Sequence, residues 1–254
     1  MRLNVVTKAM ARLAASAAAV LMLLVLPAMA ADRALINMIG YSEDGNYFAF
    51  EQFGIQDGSG FAYSEVFVVD LANDKWTAGT PFEVQADDEE RSLAEVRLEA
   101  LGKAQASLDK YRIGVPVEIL VMIGEGEYST DTGMRVHWST PACCSAGATQ
   151  ADAQSLILEE RGASSTEAYC LDMNPVGYNL YYQDRSGQRD LHLDGDVLPK
   201  SRGCTLDYRI YAVIAPYSDY YAEDFTSRRV AIIASYPFGF EGVDRRFLAV
   251  PIDK

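Results

Sequence analysis

From residue 34 onward, short apolar runs alternate with clusters of Gly, Asn, Asp and Ser, a rhythm that predicts β-strands joined by turns. Residues 34–39 form a first strand, 40–46 a turn, and the aromatic-rich stretch 47–53 a second strand. A three-glycine loop over 54–60 leads to a Val/Phe-rich strand over 64–71. Asn73-Asp74-Lys75 makes a tight turn, after which Trp76 opens a short strand toward Val84. Further strands are expected over 115–123, 134–139, 155–160, 168–172, 178–183, 190–194, 208–215, 230–236 and 246–250. Asp184-Arg185-Ser186-Gly187 reads as a hairpin turn.

One stretch breaks the rhythm. In residues 87–110, Leu93, Val96, Ala100, Leu101, Ala104 and Leu108 share one face at about 100° per residue, the mark of an amphipathic helix. Asp87 with Glu90 supplies an N-terminal capping signal, and acids suit that end of the helix dipole. Arg97 falls in the apolar stripe and is expected to extend its head to water. Gly102, worth about 1 kcal/mol against a helix interior, predicts a bend or a stop. A dozen short strands and one helix define a mainly β fold, with antiparallel sheets arranged as a sandwich or a partial propeller. No linker divides the chain, so residues 31–254 are expected to form a single domain.

The N-terminus carries a different message. Arg2, Lys8 and Arg12, with no acid, precede an apolar run over 13–26, then Pro27 and Ala28-Met29-Ala30. A positive start, a short apolar core and a small-x-small ending form a cleavable secretory signal. The run is shorter than the roughly 20 residues of a membrane-spanning helix. Cleavage after Ala30 removes three cations and no acid, which moves the formal charge from −14 to −17. Such a surface repels nucleic acid and anionic headgroups, so neither is an expected partner. Export also makes disulfides available to Cys143, Cys144, Cys170 and Cys204. A bond between the adjacent pair would strain its ring, so each of the two is expected to reach a different distant cysteine.

Two sets of residues resemble known families. Tyr41-Ser42-Glu43-Asp44-Gly45-Asn46-Tyr47-Phe48-Ala49-Phe50, followed by Val66-Phe67-Val68-Val69-Asp70, is similar to one hairpin of a TolB-type propeller blade. A propeller repeats that unit about every 40–50 residues, and here it occurs clearly once. A broader match rests on Phe50-Glu51-Gln52-Phe53-Gly54-Ile55-Gln56-Asp57-Gly58-Ser59-Gly60-Phe61, on Leu198-Pro199-Lys200-Ser201-Arg202-Gly203-Cys204, and on Gly239-Phe240-Glu241-Gly242-Val243-Asp244-Arg245-Arg246-Phe247. These stretches resemble a family of predicted secreted bacterial proteins, domain of unknown function 2259. The resemblance implies export, with the bacterial periplasm or the medium as destination, and a shared fold. It transfers no catalytic residue.

The chemistry-bearing residues are few. There is no G-x-S-x-G elbow, no H-E-x-x-H and no phosphate-cradling glycine loop ahead of a helix. His137 and His192 read as strand histidines. Zinc finds neither C-x-x-C spacing nor enough histidine. Calcium has two acidic candidates, Asp190 with Asp194 and Asp196, and Glu125 with Glu127 and Asp131. From Asp190, Gly195 suits the sixth position of an EF-hand loop, but Ser201 stands at the twelfth, where glutamate is needed. No cofactor is expected, and the metal question stays open. Glu51, Asp57 and Glu65 are binding candidates if the 54–60 loop folds back, and two facing carboxylates would allow glycoside hydrolysis. Tyr217, Tyr220 and Tyr221, between two strands, are the aromatic contact candidates. The expectation is a non-catalytic binding module for an envelope protein or glycan. The alternative is a carboxylate-dependent hydrolase of envelope polysaccharide.

Overall fold

Apolar residues on both faces of one strand demand cover on both sides. The run Val230–Pro237 satisfies that demand. Val230, Ile232, Ala234 and Tyr236 enter one core, while Ala231 and Ile233 enter another. The computed structural model describes residues 31–123, 133–138, 154–217 and 228–253. Within it, the strands are β1 (Leu35–Ser42), β2 (Tyr47–Ile55), β3 (Ala62–Asp70), β4 (Lys75–Trp76), β5 (Phe82–Gln85), β6 (Ile113–Val115), β7 (Val117–Met122), β8 (Arg135–Trp138), β9 (Gln154–Gly162), β10 (Val176–Asp184), β11 (Gly187–Leu193), β12 (Thr205–Pro216), β13 (Val230–Pro237) and β14 (Arg246–Pro251). The helix α1 spans Leu93–Lys110.

The strands form three antiparallel sheets. The first runs β4-β3-β2-β1-β6 with β5 also on β3, the second β11-β10-β9-β8, and the third β14-β13-β12-β7. The third lies in the middle. On one side, Ala212, Ile214, Ile232 and Phe247 pack against Tyr41, Phe48, Phe50 and Phe67 of the first sheet. On the other, Tyr208, Ile210, Val213 and Ile233 meet Leu156, Leu158, Tyr178 and Leu180 of the second. The outer face of the first sheet is covered by α1, through Val96, Ala100, Ala104 and Leu108 against Ala49, Val66, Val68 and Val84. The mainly β, antiparallel fold with a single α-helix among the described residues is therefore as expected, built as four layers in the order helix, first, third and second sheet.

Several local expectations are corrected. The helix begins at Leu93, because Ser92 and Glu95 form a reciprocal capping box. The earlier acids are used elsewhere: Asp88 accepts the N–H groups of Glu90 and Arg91 in a preceding turn. Gly102 neither ends nor interrupts the helix, which runs on to Lys110 under the packing of its apolar face. The expected 115–123 strand is two strands in different sheets. Pro116, which has no N–H, separates β6 on the first sheet from β7 on the third. The strand from Trp76 toward Val84 is also two, interrupted at the cis Thr80–Pro81 bond, and both lie along β3. Residues Ala168–Cys170 form a 3-10 turn in place of the expected strand.

Arg97 is the largest correction on α1. Its Nε and Nη2 donate to the two oxygens of Glu51, each at 2.8 Å, and its guanidinium lies 3.6 Å over the Phe53 ring. Glu51 is fully buried on β2 and also accepts from Asn37 and Ser64. Arg97 turns inward because a buried carboxylate needs a partner. Burial raises the Glu51 pKa, but these hydrogen bonds outweigh it and hold the group below the usual carboxylate range.

The disulfide pairing is corrected as well. Cys170 is bonded to Cys204, with a Cα–Cα distance of 5.6 Å, so neither is left for the adjacent pair. The 3-10 turn carrying Cys170 and the start of β12 bring the two together, a proximity that sequence spacing does not encode. Cys143 and Cys144 lie outside the described residues, as do residues 1–30.

Where the second and third sheets meet, a carboxyl pair makes folding pH-sensitive. Glu160 on β9 accepts the Tyr208 N–H at 2.7 Å, and Asp207 and Arg209 lie beside it. Burial, then a hydrogen bond with Glu160, push the Asp207 carboxyl up to about 7 despite Arg209. An acid whose pKa is raised on folding costs stability once pH exceeds its unfolded value near 3.9, and the cost grows until pH passes the folded value. Asp207 is 37% exposed, so screening reduces the effect to about 1 kcal/mol. Urea midpoints should fall between pH 5 and pH 8 in the wild type, and Asp207→Asn should flatten that fall. Parallel pH profiles for the two proteins would refute the assignment.

Candidate functional site

The three sheets bring their edge strands to one place. There, β3 and β4, the second-sheet strands β10 and β11, the 199–202 turn and β14 line a cavity of about 280 Å3. Its chemical groups are Asp74, Lys75, Trp76, Tyr178, His192, Ser201 and Arg202, with Leu248 to Val250 as apolar wall. Trp76 sits on the two-residue strand β4, and the residue remains 46% exposed.

Each inner group is held by local structure. Asp194 follows β11; one oxygen accepts the Tyr178 N–H at 2.9 Å and the other lies 2.8 Å from His192 Nε2. The approach requires Gly177, where a methyl group would stand 3.0 Å from the Asp194 Cβ. Burial raises the Asp194 pKa, but the His192 and Tyr178 hydrogen bonds, helped by Arg202, leave it below its ordinary value. The His192 ring stacks on Tyr178 with centroids 4.7 Å apart and planes 22° apart. Tyr178 is completely buried, and its hydroxyl has no hydrogen-bond partner among the described residues. Burial pushes that hydroxyl well above the usual tyrosine range, so it stays protonated and able to donate.

Arg202 comes from the Leu198–Cys204 motif. Pro199 opens a 3-10 turn, the Arg202 N–H bonds Pro199 O at 2.9 Å, and Thr205 Oγ1 donates to Arg202 O at 2.6 Å. Gly203 ends the turn at φ 56°, in the left-handed region that favours glycine. The next residue is the disulfide-bonded Cys204. The Arg202 guanidinium lies 5.2 Å over the Tyr178 ring and 5.6 Å over the Tyr208 ring, and donates to the Tyr208 hydroxyl at 3.2 Å. His192, Asp194 and Ser201 are neighbours here, but among the described residues Ser201 makes no hydrogen bond to His192, so no nucleophile-base contact is formed.

The expected site residues lie elsewhere. Glu51 faces α1 and is consumed by Arg97. Glu65, paired with Gln52 across β2 and β3, faces the opposite side, where Gln52 also accepts the Phe247 N–H. Adjacent register positions alternate faces, so Glu51 and Glu65 lie on opposite faces of the first sheet. Burial raises the Glu65 pKa, partly offset by Gln52 and Arg246. Asp57 lies in the loop after β2 within electrostatic reach of Asp244, and its Oδ2 is buried with no hydrogen-bond partner among the described residues. Around them, Asp32 accepts from Tyr63 at 2.7 Å and pairs with Arg246 at 2.6 Å. Thus the first and third family stretches pack together, while the second builds the cleft.

Tyr217 directly follows β12 with 58% of its surface exposed; Tyr220 and Tyr221 lie outside the described residues. Of the calcium candidates, Asp194 is engaged by His192 and Asp196 pairs with Arg161. Glu125, Glu127 and Asp131 are not among the described residues, within which no group of three or more His, Cys, Asp or Glu is placed to hold a metal ion. No helix of the described residues is long and apolar enough to cross a membrane.

A disulfide-bonded stack of antiparallel sheets with a cleft at their joined edges describes the class of this protein. The chain belongs to the family of predicted secreted proteins named domain of unknown function 2259, whose family model matches residues 49–253. No curated protein matches the chain.

Proposed function

We propose that the exported domain is a non-catalytic binding module and that the cleft at the joined sheet edges takes a saccharide of the cell envelope. The observation that carries this reading is Trp76, a half-exposed indole on the wall of a cavity whose other groups include Lys75, His192 and Ser201. An aromatic face suits the apolar side of a sugar ring, and convergent polar groups suit its hydroxyls. The cavity is near the lower end of ligand pockets, roughly 300 Å3, which fits one or two sugar rings. The carboxylate-dependent hydrolase needs two facing acids, and Glu51 and Glu65 lend it no support.

Titration calorimetry with envelope glycan fragments tests the reading. Trp76→Ala should weaken binding by about tenfold, the size of a lost aromatic contact, while leaving the melting temperature within a few degrees. Equal affinity for wild type and variant would remove the cleft from the account.

A further inference from the structure

The lining of the cleft runs against the charge of the whole protein. The chain has a formal charge of −14, yet this cavity is lined by Lys75 and Arg202, with His192 beside them and Asp74 as its lining acid. Among the described residues Arg202 forms no ion pair within 4.0 Å; it donates to the neutral Tyr208 hydroxyl, and Asp194 acts on it only through space. A partly buried guanidinium is normally matched by an anion, because it never sheds its proton and its desolvation must be offset. Asp194, the nearby buried acid, is occupied by His192 and the Tyr178 N–H. Among the described residues the buried Tyr178 hydroxyl has no hydrogen-bond partner of good geometry, and the Arg202 guanidinium is the charged group beside it.

We infer that the cleft binds an anionic saccharide, with the acid group of the sugar meeting Arg202. The inference rests on the saccharide reading and adds the charge of the ligand. Arg202 offers a planar fork of donors that suits a carboxylate, and Lys75 adds a point charge. Trp76 takes the ring face. The aromatic stacking of Arg202 on Tyr178 and Tyr208 keeps the fork in place before the ligand arrives.

The test is calorimetry on the purified exported protein with matched probes: an N-acetylmuramic-acid disaccharide, a hexuronic-acid disaccharide, the neutral methyl ester of each, and inorganic phosphate. At least one acid should bind about tenfold or more tightly than its ester, as expected for loss of a charge-assisted hydrogen bond, and its affinity should fall with added salt. Arg202→Gln should remove the preference for acid over ester. Because Arg202 also packs on two tyrosines and its replacement disturbs that packing, Lys75→Ala, on the exposed strand β4, serves as the second variant and should reduce the preference several-fold. Acid and ester binding equally would overturn the anionic assignment and leave the saccharide reading standing. Phosphate binding without any sugar, or no binding at all, would overturn both.

Discussion

Arg97→Ala should lower the unfolding free energy by about 3 kcal/mol at pH 7, the lower end of what removing one partner from a buried ion pair costs, because Arg97 is 32% exposed. For a domain of this size that is roughly a 10 °C fall in melting temperature. Glu51 would keep Asn37 and Ser64 but lose both guanidinium bonds in a fully buried position. The pH dependence carries the signature. In the wild type the Glu51 pKa is depressed, so its contribution is present above the ordinary carboxylate value and lost as pH falls through the depressed one. Without Arg97, burial dominates and raises the pKa, so the variant should lose stability as pH rises. Adding Glu51→Gln should recover much of the loss. Urea denaturation at pH 5 and pH 7.5 separates the outcomes: a loss of equal size at both values, unrelieved by the second substitution, would mean that Arg97 acts through packing alone.

Replacing both Cys170 and Cys204 by serine should cost about 3–4 kcal/mol, the loop-closure value for a sequence separation of 34. The consequence should reach the cleft, because Cys204 stands two residues after Arg202 and fixes the turn that presents it. The double variant should therefore lose ligand affinity at temperatures where circular dichroism still reports a folded protein. The urea midpoint and the calorimetric affinity check the two halves separately. A destabilised protein with unaltered affinity would show that the turn is held by its own hydrogen bonds and by Gly203.

The strand positions were legible because each strand buries at least one face, and the runs at 47–53, 64–71, 208–215 and 230–236 are too apolar for anything else. Which sheet a strand joins was not. Residues 115–123 read as one apolar strand, yet Pro116 lets the chain leave one sheet for another, a choice made by partners far along the chain. Arg97 misled for a related reason. A cation in an apolar stripe ordinarily reaches water, and only the position of Glu51 across the layer reverses that. The cleft gave the weakest signal of all. Trp76, His192, Arg202 and Leu248 come from four separate segments, none with a motif of its own beyond the Leu198–Cys204 stretch. That stretch marked its neighbourhood through family resemblance, without saying what the arginine faces.

A ligand in the cleft beside Trp76 would be reported by the Trp76 indole itself. The chain has two tryptophans, Trp76 at the cleft and the buried Trp138 in the second-sheet core, so an amide correlation spectrum carries two assignable indole N–H signals. Titration of the isotope-labelled exported protein with acidic envelope glycan fragments should move the Trp76 signal along a saturating curve and leave the Trp138 signal in place. A Trp76 signal that stays fixed while binding is detected by calorimetry would place the ligand elsewhere and contradict the account.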